Sequence, residues 1–168
     1  MIRLVWVAFI TFVLFFFSGI MPFPGILRPI SSIQTSDRVV ALTFDDGPSA
    51  LTPELLEILK KNKIKATFFV TGEHALQSPD LIKKIHDEGH EIENHSYSHP
   101  HLLFHGYFFI RTQLMKTQEV IRLLTGETPR FFRPPYGQSD ILVLEAASKE
   151  KLKPALVGDR LRLEKYCR

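Results

Sequence analysis

The chain has 168 residues, 45% of them apolar and 23% charged, with a net charge of +3. That length suffices for one domain with a sizeable core and is too short for two large ones. The mild charge, without a long basic block, argues against nucleic acid as a partner. The single cysteine, Cys167, excludes an internal disulfide and a cysteine-rich zinc site.

Leu4 to Met21 is eighteen residues without a charge, five of them Phe, behind a lone Arg3. A run of that length spans a bilayer, whereas the core of a cleaved signal peptide is roughly 7–15 residues. No clear Ala-x-Ala site follows it. Residues 1–27 are therefore expected to be an uncleaved signal anchor in preference to a cleaved signal peptide, with Arg3 keeping the N-terminus inside. The expected location is the cell membrane with an extracellular domain, or secretion if the segment is cleaved. Residues 28–37, with Pro29, Ser31, Ser32, Thr35 and Ser36, read as a linker. Residues 38–168 form the domain.

From Arg38 strands and helices alternate. Val39 to Phe44 is an apolar strand that delivers the adjacent carboxylates Asp45 and Asp46, and Gly47-Pro48 then turns the chain. Thr52-Pro53-Glu54 has the form of an N-cap, a first-turn proline and a first-turn acid, so a helix runs to about Asn62. Ala66 to Val70 is a short strand. Ser78-Pro79-Asp80 repeats the cap signal for a helix that Gly89 closes, and His90 to Asn94 fits a third strand. A longer helix is expected from about Tyr107 to Leu124, ending at Gly126. Phe131-Phe132 is a brief strand, Ser139 to Lys149 a helix with Ser139 as its cap, and Pro154 to Val157 a last strand. This alternation implies an α/β fold with a parallel sheet, open or barrel-like, whose chemistry collects at the carboxyl ends of strands.

Two adjacent acids at a strand end need a positive partner, because like charges repel and resist leaving water. His95 and His99 are four residues apart, which on a helical turn brings their Cβ atoms to about 5–6 Å, close enough to share a metal. Two imidazoles and one carboxylate make a three-ligand site with open positions. In Arg133-Pro134-Pro135-Tyr136-Gly137 the prolines fix an extended backbone; alone the stretch reads as a rigid surface turn, and beside the Asp pair its Arg could pair with the spare carboxylate.

Taken in order, Thr43-Phe-Asp-Asp-Gly-Pro48, His95-Ser-Tyr-Ser-His99 and Arg133-Pro-Pro-Tyr-Gly137 resemble the first three motifs of the polysaccharide deacetylases with a NodB homology domain, carbohydrate esterase family four. The resemblance runs from about Arg38 to Val157. It implies a distorted (β/α) barrel, with Asp46, His95 and His99 as ligands of a divalent metal, zinc before cobalt or another ion. It implies Asp45 as general base toward the attacking water, Arg133 as its charge partner, and the backbone N–H of Tyr136 as an oxyanion donor. The implied activity is removal of N-acetyl groups from amino sugars of a cell-envelope polysaccharide, such as peptidoglycan or a chitin-like glycan.

The chain departs from that pattern in two places. The family's later motifs, an Asp-Trp element and a Leu-x-His whose His is the general acid, have no counterpart; the single Trp is Trp6. The expectation is a domain truncated at its C-terminus, with a single-base frameshift near Val157 favoured as the cause over a genuine short variant with a divergent tail. The alternatives are a catalytically inactive glycan- or metal-binding remnant and an O-acetyl esterase acting on xylan. Glu93 also stands where the family usually has Gly. His74, His86, His90, His101 and His105 read as surface or structural residues.

Overall fold

A computed structural model describes residues 29–32 and 39–157. The anchor at 1–27, Trp6 and the tail with Cys167 lie outside the described residues. Five parallel strands form one sheet in the order of the chain: β1 (Thr43–Gly47), β2 (Thr67–Val70), β3 (Glu91–Asn94), β4 (Phe131–Phe132) and β5 (Lys153–Pro154). Between them lie α1 (Thr52–Lys61), α2 (Gly72–Gln77), α3 (Pro79–Asp87), α4 (Tyr107–Thr125) and α5 (Ile141–Lys149). Sequential parallel order with helical crossovers is the winding of a (β/α) barrel. Among the described residues β1 and β5 stand at opposite ends of the sheet. No helix of the described residues is long and apolar enough to cross a membrane.

The core divides along the sheet. Leu56, Phe68, Val70, Ile82, Ile85 and Ile121 cluster around β2. Leu102, Ile110, Leu114, Phe132, Val143 and Leu152 cluster around β4. Each fully buried side chain of this size stabilises the fold by roughly 1.5–3 kcal/mol. α4 contributes to both clusters through Ile110, Leu114 and Ile121 and so ties the two halves together. It stops at Gly126, whose φ of 79° closes the last turn in the left-handed conformation that glycine adopts freely.

Several boundaries differ from expectation. Val39 and Val40 are exposed and outside the strand, because β1 starts where its partner does, at Thr43 opposite Thr67. Thr52 lies inside α1; its Oγ1 accepts from the Ser49 N–H at 2.9 Å, and Leu51 occupies the cap position. Ser78 makes no side-chain cap on α3. Asp140, rather than Ser139, caps α5 by accepting from the Val143 N–H at 2.9 Å. Ile30, read as linker, pairs in parallel with Ala155, and Ile30 N donates to the Pro154 carbonyl at 2.8 Å.

Glu93 has a structural use. It is buried on β3, and its Oε2 accepts from the N–H groups of Arg130 (2.8 Å) and Phe131 (2.7 Å), which ties the entry of β4 to β3. Burial pushes its carboxyl up to about 7, against those two hydrogen bonds, which act to lower it. The folded chain thus binds this proton more tightly than the unfolded chain. The stabilisation from it is complete below about pH 4.5 and is lost as pH rises through about 7, an amplitude of order 3 kcal/mol. Glu93→Gln keeps an acceptor for both N–H groups and removes the titration. In urea unfolding at pH 5 and pH 8, the stability difference between variant and wild type should therefore shift in the variant's favour at pH 8. A pH-independent difference would show that Glu93 does not hold its proton.

Candidate metal centre

Parallel pairing brings the site together. Along the last ladder row Gly47 pairs with Val70, Val70 with Asn94, Asn94 with Phe132 and Phe132 with Pro154. His95 N donates to the Val70 carbonyl at 2.9 Å, Arg133 N to that of Asn94 at 2.9 Å, and Ala155 N to that of Phe132 at 2.8 Å. Asp45, Asp46, His95 and Arg133 therefore emerge at one end of the sheet, as expected for chemistry at strand carboxyl ends.

A bulge between Asp45 and Gly47 separates the two acids. Asp46 takes a φ of 65°, a left-handed conformation that Asp tolerates better than most residues. The His74 Nδ1–H donates to the Asp46 carbonyl at 2.7 Å and holds that turn. Asp46 Oδ1 lies 3.2 Å from both His95 Nε2 and His99 Nε2. Asp45 turns away to Arg133, whose Nη1 donates to Asp45 Oδ1 at 2.6 Å and to Thr43 Oγ1 at 2.9 Å. The buried guanidinium also stacks on the Phe69 ring, 4.0 Å from its centroid. Its charge offsets that of Asp45, so the two carboxylates do not confront each other unscreened.

The donor set fits a divalent cation. The His95 Nδ1–H donates to the Arg133 carbonyl at 2.7 Å, which leaves the Nε2 lone pair toward Asp46. Burial also lowers the pKa of His95 and favours the neutral ring. A lone pair and a carboxylate oxygen 3.2 Å apart repel unless a cation or proton lies between them. The three ligand atoms lie within 4.8 Å of one another. The four-residue spacing of the imidazoles does not come from a helix. Residues 95–99 form a loop with left-handed φ at Ser96 (66°) and His99 (55°), and the ring centroids are 5.0 Å apart.

The Asp46, His95 and His99 trio and the Asp45–Arg133 pair flank a cavity of about 350 Å³ lined also by Pro134, Tyr136, Gly137, Leu156 and Val157. Tyr136 is half-exposed, with φ at 59°; its ring stacks on His101 at 3.8 Å and meets His99 edge-on at 4.7 Å. His101 is thus a rim residue behind Tyr136. His105 stacks on Phe109 at 4.0 Å, and His90 accepts from the Ala66 N–H through Nδ1.

A family model described as polysaccharide deacetylase matches residues 32–155. The chain belongs to the polysaccharide deacetylase family. Similar members include a peptidoglycan-N-acetylglucosamine deacetylase of Bacillus cereus, 50% identical over 100 residues, which cover 59% of this chain and 36% of that protein. The solved Bc1960 peptidoglycan N-acetylglucosamine deacetylase is 39% identical with a TM-score of 0.74, over 80% of this chain and 64% of that one. A pseudoenzyme of carbohydrate esterase family four from Bacillus anthracis, BA3943, is 33% identical with a TM-score of 0.73, over 77% of this chain and 46% of that one. The chain thus spans about a third of the length of the Bacillus cereus relative. The Glu93 tie between β3 and β4 and the His74 bond to Asp46 are contacts that the sequence motifs do not announce.

Proposed function

We propose that this chain is a metal-dependent hydrolase that removes N-acetyl groups from amino sugars of a cell-envelope polysaccharide, peptidoglycan before a chitin-like glycan, with its domain held outside the membrane by residues 1–27. The observation that carries this is the division of the Asp pair: Asp46 Oδ1 is shared by two imidazoles at 3.2 Å, while Asp45 Oδ1 is held by Arg133 at 2.6 Å. The activity of the relatives, peptidoglycan-N-acetylglucosamine deacetylases, supports the substrate class.

Asp46, His95 and His99 would hold the ion, zinc before cobalt. Such an ion, when bound, supplies a Lewis acid that activates water and polarises a carbonyl group. Asp45, oriented by Arg133, takes the proton of the attacking water. The water oxygen bonds to the acetamide carbon, the Tyr136 backbone N–H faces the oxyanion, and the C–N bond breaks to release acetate and a free amine. The proton held at Asp45 is then the one returned to the leaving nitrogen.

The same observation favours a second reading. Amides need a protonated leaving group more than esters do, and general-acid assistance is worth about 10²–10⁴-fold. The residue set would therefore serve an O-acetyl ester, as on xylan, with less penalty, or persist as a non-catalytic glycan- or metal-binding remnant. Acetate release by the full chain with zinc is the test, on N-acetylglucosamine oligomers, peptidoglycan fragments and acetylated xylan. Chelator-sensitive release from the N-acetylated glycans is expected. Release from xylan alone would select the esterase, and no release with zinc still bound would select the remnant.

A further inference from the structure

The loop that carries His95 and His99 contains two non-glycine residues in the left-handed region, Ser96 and His99. Such a conformation is unfavourable for a residue with a Cβ and persists only where its surroundings over-determine it. Every amide from Ser96 to His99 has an acceptor. Ser96 N donates to Asn94 Oδ1 at 2.9 Å, and His99 N to Ser96 Oγ at 3.2 Å. Both of these bonds are local. The two middle amides reach across the fold: Tyr97 N and Ser98 N both donate to Gln113 Oε1, each at 2.9 Å. Gln113 Nε2 donates in turn to Ser98 Oγ at 3.2 Å.

Gln113 is buried in the second turn of α4, the helix that spans both core clusters. It lines no part of the cavity. A polar side chain on the apolar stripe between Ile110 and Leu114 must find partners or destabilise the fold, and the partners it finds are the turn between the two histidines. The opposite side of the loop is held by α2, where Gly72 N and Glu73 N donate to the Ser96 and Tyr97 carbonyls at 3.1 and 3.0 Å. A Cβ at Gly72 would collide with the Tyr97 ring, so that approach needs glycine. The loop is clamped from two helices, and Gln113 is the side-chain half of the clamp.

We propose that Gln113 is a positioning residue of the metal centre: by binding the Tyr97 and Ser98 amides it fixes where His99 stands relative to His95 and Asp46. The inference rests on the metal-centre assignment and adds a residue that touches neither ion nor substrate. Outer partners that orient metal ligands typically govern affinity by 10–100-fold. Gln113→Met keeps the shape of the side chain and removes both hydrogen-bonding ends. Gln113→Glu keeps an oxygen that can accept both amides.

The test is cobalt titration of the full chain, read by the visible absorption of the bound ion and not by turnover. Gln113→Met should weaken cobalt uptake by about 10–100-fold and change the band shape, while Gln113→Glu stays within about tenfold of wild type with the wild-type band. Gln118→Met is the control, because Gln118 lies on the same helix and donates to the Glu150 carbonyl at 3.2 Å, away from the loop. If Gln118→Met weakens cobalt as much as Gln113→Met, the effect is general destabilisation and the proposal fails. It fails equally if Gln113→Met binds cobalt with wild-type affinity and spectrum. Should Gln113→Met not fold, Gln113→Asn, one methylene short of the loop, takes its place under the same criteria. A wild-type chain that takes up no cobalt would overturn the metal centre itself and this inference with it; wild-type uptake beside an unchanged Gln113→Met would overturn the inference alone.

Discussion

Asp46→Ala is expected to lose zinc, with affinity falling by more than the roughly 10–100-fold typical of an outer partner. Asp46 is the one anionic ligand of the three, and its Oδ1 is the atom that faces both imidazoles. Without it two neutral nitrogens remain, and the repulsion that a cation relieves is gone. The side chain is largely solvent-exposed, but its backbone is left-handed, where Ala is tolerated less well than Asp, so the metal-free variant should fall about 1 kcal/mol below the metal-free wild type. Zinc supplies the contrast: at about 100 times the Kd a ligand stabilises the folded chain by roughly 2.7 kcal/mol. The wild-type melting temperature should rise with zinc while that of the variant stays flat. An equal rise in both would remove Asp46 from the ligand set.

Asp45→Asn is expected to separate catalysis from metal binding. It should lower the rate of acetate release by about 10²–10⁴-fold, the usual worth of a positioned base, while zinc affinity remains close to wild type. The substitution keeps an oxygen for the Arg133 Nη1–H and removes the charge. Arg133 is buried, and a buried cation deprived of its partner costs up to about 3–5 kcal/mol. Its contacts with Thr43 Oγ1, the Ala155 carbonyl and the Phe69 ring offset part of that. Rates should therefore be compared at a temperature where both proteins are folded. Unchanged turnover would exclude Asp45 as the base, and loss of zinc would mean that the Asp pair does not divide its work.

Much of the site could be read before the fold. Adjacent carboxylates after an apolar strand, paired imidazoles and an Arg behind two prolines are each ambiguous, but their order along the chain points to one sheet end. Parallel pairing places them there, because residues that follow aligned strands emerge together. The long helix ending at Gly126 was equally plain, since its apolar period runs through Ile110, Leu114 and Ile121.

What escaped the sequence has physical reasons. The apolar run at Val39-Val40 looks like strand, yet pairing is set by a four-residue partner that begins at Thr67. α2 is six residues long and too short to show a period. Cap positions slipped by one residue because they depend on which side chain reaches a free N–H, as with Asp140 and Ser139. The left-handed Ser96 and His99 have no local signature, since neither is glycine, so a helical turn was the natural expectation for their spacing. Gln113 did leave a signal: it and Thr117 are polar residues on the buried stripe of α4, where a side chain must have a partner elsewhere in the fold.

The most direct measurement is anomalous diffraction at the zinc absorption edge from crystals of the full chain grown with zinc. One peak is predicted, bounded by Asp46, His95 and His99 and within coordination distance of all three, with Asp45 still on Arg133. A peak that omits any of the three side chains, or a zinc-soaked crystal whose site holds no anomalous density, would contradict the metal centre described here.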